Sequence, residues 1–242
     1  MATRREMDVF MRLQPAHIQT GVIVVGQDEL PGPLLHVSTN PNIKAFVPSV
    51  TRRTGITENR SVSRVSTAPT LLGCLIGYVQ GWDNFYWPEA KKNGSLLQKW
   101  TVYRFDTPLS LLPNTKLLFD QKQTDERWLV GYSSDTMSYA PIKTARGFYK
   151  DVLLVGRPDK VPFKIMTVLV EVLEDTLLFS KNIKLTKGFW EIRGPEPTGN
   201  VKSWESDKLY TVKQISRAEY DYVPPKEYLS MEEFVKPPFM SW

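Results

Sequence analysis

The sequence predicts an α+β fold with a mainly antiparallel sheet at its core, few helices, and extended arms at both ends. Three observations carry that expectation. Short apolar, β-branched runs recur from residue 21 to residue 215. Eighteen prolines are spread along the chain, which excludes long uninterrupted helices over most of it. Helical patterning is confined to brief stretches, so the regular alternation of strand and helix that marks a parallel sheet is missing.

The elements follow in order. Residues 1–20 form an N-terminal arm with apolar residues at Val9, Phe10, Met11 and Leu13, suited to a short helix or a docked strand. Residues 21–25 are β-branched and read as a strand. Acid, proline and glycine punctuation makes residues 27–33 a turn. Residues 34–38, Leu-Leu-His-Val-Ser, are a second strand, and residues 40–61 are loop-like. A buried helix runs to about residue 80, capped by Ser66 or Thr67 with Pro69 in its first turn.

Residues 81–88 are dense in aromatics, including Trp82, Phe85, Tyr86 and Trp87, which favours core or interface packing. Strands are expected near 99–105, 128–132, 148–156, 163–173, 189–192 and 210–215. The run at 163–173 is continuous rather than alternating, as in a central strand buried on both faces. Residues 222–242 carry Pro224-Pro225 and Pro237-Pro238 with aromatics between them, and read as an extended arm with a short helix near 230–235. Residues 21–221 are expected to form one domain between the two arms.

Composition narrows the function classes. No apolar run approaches the ~18 residues of a membrane span, and no signal-peptide pattern follows the basic start. Cys74 is the single cysteine, which excludes an internal disulfide and a cysteine-rich zinc site. Its apolar neighbours suggest a small buried hydrophobe. A reduced, cytoplasmic setting fits. The net charge of +5 is modest, although Arg52, Arg53, Arg60 and Arg64 cluster where phosphates could be met. No basic helix, zinc knuckle or RNA-recognition signature indicates a nucleic-acid-binding domain. A serine elbow, a metal-ligand spacing and a paired His-x-Ser/Thr arrangement are all absent.

What remains is His36 with Ser38, Arg64 with Ser66, and Glu191 in the run Gly188 to Pro197. In that order they resemble the ADP-ribosyltransferases of the poly-ADP-ribose polymerase and diphtheria-toxin type. Leu35-His36-Val37-Ser38 is similar to the family's His-Gly-Thr strand, with Val37 where the family has glycine. Residues 64–78 are similar to its second strand and helix, with Val65 or Ser66 where it has tyrosine. Glu191-Ile192-Arg193-Gly194-Pro195 is similar to its late glutamate strand, Glu-Tyr-x-Val-Tyr-x-Pro. The resemblance implies an NAD-dependent transferase in which Glu191 is catalytic and His36, Ser38, Arg64 and Ser66 bind NAD. The N-terminus of the following helix would face the pyrophosphate.

Residues 34–78 also resemble small uncharacterised bacteriophage proteins, which implies a phage origin but supplies no activity. The transferase reading has a host macromolecule as acceptor. The alternative is a non-enzymatic phage protein that binds a host or virion partner through its C-terminal arm, as an inhibitor or an assembly component.

Overall fold

Leu35 is the residue through which the chain joins two sheets. The computed structural model describes residues 3–50, 61–79, 98–106, 109–118, 121–131, 151–156, 165–195 and 210–222. Strand β2 (Leu34–Ser38) pairs with β4 (Gln98–Phe105) on one side, His36 standing opposite Tyr103. On its other side Leu35 forms a lone bridge to Ala68, just past β3 (Val65–Thr67). The Leu35 amide donates to the Ala68 carbonyl at 2.7 Å, and the Ala68 amide donates to the Leu35 carbonyl at 2.9 Å.

The larger sheet has the order β10-β9-β8-β7-β4-β2. It adds β7 (Asp151–Gly156), β8 (Ile165–Leu178), β9 (Lys184–Pro195) and β10 (Thr211–Ile215), all antiparallel to their neighbours. β8 is the central strand expected near 163–173. Val168, Leu169 and Val170 are buried in succession, so both of its faces are covered. The expected strands at 189–192 and 210–215 are the middle of β9 and the body of β10.

The smaller sheet has the order β1-β5-β6-β3, with β1 (Val22–Gly26), β5 (Leu109–Pro113) and β6 (Arg127–Leu129). β5 is the strand that the sequence pattern does not announce. It is five residues long and ends on a proline that reads as punctuation, yet that proline stands at the strand's end, opposite Val22.

Each sheet has a core of its own, and a third cluster packs Leu34, Tyr103 and Phe105 of the larger sheet against Val65 and Leu129 of the smaller. Helix α3 (Leu71–Val79) covers one face of the larger sheet, where Leu71, Leu75 and Ile76 meet Leu35, Val37, Trp100, Val102 and Val170. Helices α1 (Arg4–Arg12) and α2 (Ala16–Gln19) close the second core, burying Met7, Phe10 and Ile18 against Leu111 and Trp128. Of the two forms open to the N-terminal arm, it takes the helical one and docks. A capping box starts α1: Glu6 N–H donates to Thr3 Oγ1, and Thr3 N–H donates to Glu6 Oε2 at 2.6 Å.

The structure corrects the start of α3. Its cap is Thr70, whose hydroxyl accepts from Gly73 N–H at 3.1 Å. Ser66 and Thr67 lie in β3 instead, because Thr67 Oγ1 donates to the Arg127 carbonyl across the β3–β6 pair. Two short helices complete the described chain, α4 (Gln121–Thr124) and α5 (Arg217–Asp221). The aromatic run at 81–88 and the C-terminal arm beyond residue 222 lie outside the described residues.

Gly73 is where α3 touches the segment leading into β6. A Cβ there would collide with the Thr124 carbonyl and press on the Ala68 side chain. Gly73→Ala is expected to cost about 1–3 kcal/mol, as overpacking against backbone does. Gly32→Ala meets only ordinary contact with Leu178 and should melt like the parent. Thermal melts of the two variants check this.

Candidate functional site

β2 and β3 stay together only at the Leu35–Ala68 bridge and then part. A cleft of about 70 Å³ opens between them, lined by His36, Val37, Ser66, Thr67, Ala68, Gly73, Cys74, Gly77, Thr124 and Glu126. Pockets that enclose a drug-sized ligand run to ~300–1,000 Å³. The described walls therefore grip one end of such a ligand, and the rest would extend outward.

His36 takes the place of the next rung of the ladder. Its Nδ1 lies 2.8 Å from the Ser66 carbonyl. A carbonyl can only accept, so Nδ1 carries the proton, and in the neutral ring Nε2 is the acceptor nitrogen. Edge contact with Phe46, centroids 5.0 Å apart, fixes the plane of the ring. Phe46 is held in turn by Tyr103 and Phe105. The strand pair and an aromatic cluster thus set both the tautomer and the direction of His36.

Glu126 enters the same cleft from the smaller sheet. Asp125, between α4 and β6, has φ of +51°, a conformation that Asp adopts more readily than bulky residues do. Beside it, Glu126 N–H donates to Thr124 Oγ1 at 3.2 Å. Burial pushes the Asp125 carboxyl up, while Arg127 and Lys181 pull it back. Glu126 is only 4 % exposed. Its Oε1 accepts from Trp128 Nε1 at 3.0 Å and lies 3.8 Å from Arg64 Nε. The Arg64 guanidinium lies 4.3 Å from the centre of the Trp128 ring, a cation–π distance.

Of the residues singled out from the sequence, His36 and Ser66 line the cleft. Arg64 does not. It is buried behind Glu126, and its Nη1 donates to the Val62 carbonyl. Ser38 lies at the end of β2, where its hydroxyl accepts from Asn40 N–H and closes a turn. Glu191 is on β9, ion-paired to Arg193. The register puts Glu191 on the same face of the sheet as His36, but β4, β7 and β8 lie between them. Four strand spacings alone put about 19 Å between them across the sheet, and the register adds a further offset of four residues along the strands. The structure does not bring them to one site.

The N-terminus of α3 does not meet the expectation of a phosphate cradle. Leu72 N–H donates to the Phe179 carbonyl and Gly73 N–H to Thr70 Oγ1, so these first-turn donors are engaged within the protein.

Glu126 lines the cleft, although sequence reasoning did not single it out. A signal was present: Glu126-Arg127-Trp128-Leu129-Val130 is a glutamate opening a short apolar strand, the form sought at Glu191. The strand was expected near 128–132, and Glu126 fell just ahead of it, at the end of a polar stretch. Among the described residues no group of His, Cys, Asp and Glu is placed to hold a metal ion, and no helix is long and apolar enough to cross a membrane. No protein-family model matches the chain, and neither a curated protein nor a solved structure matches it.

Cys74 is on the cleft wall, its thiol donating to the Leu35 carbonyl at 3.1 Å. Burial pushes this thiol up to about 12, and the nearby Glu126 charge adds to the effect. Thiolate is then scarce at neutral pH, and no thiol chemistry follows from its position. The native protein is expected to resist iodoacetamide at pH 8 and to react once unfolded in guanidinium. Mass spectrometry of the two samples gives the answer, and rapid native alkylation would show that the cleft wall opens readily.

Proposed function

We propose that the chain is an ADP-ribosyltransferase-like protein that holds the nicotinamide-ribose end of NAD in the cleft between β2 and β3, with Glu126 in the role expected of Glu191. The reading is carried by one observation: His36, Ser66 and Glu126 line a single cleft. A residue that binds the ribose and a carboxylate that acts on it must share one site.

The donor set fits that end of the molecule. The His36 imidazole and the Ser66 hydroxyl line the cleft as polar partners for the ribose hydroxyls. Bound NAD would supply a glycosidic bond to nicotinamide whose breakage places positive charge on the ribose. The Glu126 carboxylate sets a negative charge beside that ribose in a site largely shut off from water, where electrostatic stabilisation is strongest. The acceptor, a host macromolecule in this reading, approaches from the open side of the cleft.

A second reading is favoured by a different observation. No Phe, Tyr or Trp is among the described lining residues, so they offer no ring to stack on nicotinamide. A protein that binds a nucleotide or a partner here without chemistry, as an inhibitor or an assembly component, would not need one.

Isothermal titration with NAD and a nicotinamide-release assay in host lysate test both readings. Wild type should bind NAD, and His36→Ala should bind it more weakly. Glu126→Gln should bind NAD yet release nicotinamide ~10²–10³-fold more slowly, the usual worth of one such electrostatic group. Glu191→Gln should match wild type. NAD binding without release supports the second reading, and an absence of binding heat overturns the nucleotide site.

A further inference from the structure

Arg64 was expected to touch the ligand, yet its side chain lies behind the cleft, with only 1 % of its surface accessible. We infer that Arg64 is a positioning residue: together with Trp128 it holds the Glu126 carboxylate, ionised and aimed, at the wall of the cleft. This rests on the proposal that Glu126 is the working carboxylate.

Two donors bear on one oxygen. Trp128 Nε1 donates to Glu126 Oε1, and Arg64 Nε lies 3.8 Å from that same atom. Arg64 is itself held from three directions. Its backbone pairs with Ser49 in both senses, its Nη1 donates to the Val62 carbonyl, and its guanidinium plane is close to the Trp128 ring. A planar guanidinium can do all of this at once, whereas an ammonium cannot stack and fork together.

The placement also puts a cation beside a buried carboxylate. Burial disfavours a carboxylate, and a nearby cation restores it. Trp128 stands opposite Ser66 across the β3–β6 pair, so the unit that orients Glu126 also sets the other side of the cleft. Arg64 and Ser66 are two residues apart and share a face of the strand. Ser66 meets the cleft while Arg64 reaches the carboxylate from behind.

The test is steady-state nicotinamide release by the full chain, comparing Arg64→Gln, Arg64→Lys, Trp128→Phe and Glu126→Gln. Arg64→Gln should lower kcat on the order of 10²-fold, the usual effect of misplacing a reacting group by about 1 Å. Its KM for NAD should stay within about twofold, as expected when a transition-state interaction alone is lost. The acidic limb of its kcat–pH profile should move to higher pH, because a buried carboxylate without its cation holds its proton longer. Arg64→Lys should bring that limb back while kcat stays low.

If Arg64→Gln does not melt cooperatively, Trp128→Phe and Arg64→Lys carry the test, each expected to lower kcat with KM little changed. A rise in KM at unchanged kcat would make Arg64 a ligand contact and overturn the inference. So would a full kcat with an unmoved acidic limb in the folded variants. Either result leaves the Glu126 reading standing, provided that Glu126→Gln is inactive. An active Glu126→Gln overturns both.

Discussion

One pair of backbone hydrogen bonds, between Leu35 and Ala68, decides the shape of this protein. It joins a six-stranded sheet to a four-stranded one at a single rung. Continued pairing would leave no cleft, and the rung, with the His36–Ser66 contact and the packing of Leu34 against the Val65 cluster, aligns the strand carrying His36 with the strand carrying Ser66. The Leu35 side chain is buried in the core under α3, so the rung is anchored by packing as well as by its own bonds. Its carbonyl also accepts from Cys74, which ties the helix to the same point.

What could be read from the sequence is what local physics determines. β2 was legible because a short apolar run between a turn and a polar loop has few other solutions, and β8 because a continuous β-branched run suits a strand covered on both faces. α3 was legible in its length but not in its cap. Thr67 satisfies the rules for a helix cap, but its hydroxyl goes to Arg127, sixty residues away. The cleft was not legible for the same reason. Glu126 reaches it across a seam formed by β2, β3 and β6, and no short-range pattern records that β6 docks beside β3. Glu191 has the clearer local pattern but stands four strands from His36.

The Arg64–Glu126 pair sets a tension between stability and placement. Two charges taken out of water recover their solvation only through close mutual contact and further hydrogen bonds, and well-packed apolar residues are often as stable. Here the ion-pair distance is long, at 3.8 Å, and part of the compensation comes from Trp128 and the Val62 carbonyl. An arrangement of this kind is hard to explain as a stability device. It is easier to explain as the means of keeping one oxygen of a carboxylate in one place.

The two cores have a consequence of their own. Trp100 lies at the centre of one and Trp128 at the centre of the other, both fully buried. Between them lies a third cluster, in which Leu34, Tyr103 and Phe105 of the larger sheet pack with Val65 and Leu129 of the smaller one. The banks of the cleft that carry His36 and Glu126 are therefore held by packing as well as by hydrogen bonds. A ligand that bridges the two meets a gap of set width, more a gauge than a hinge.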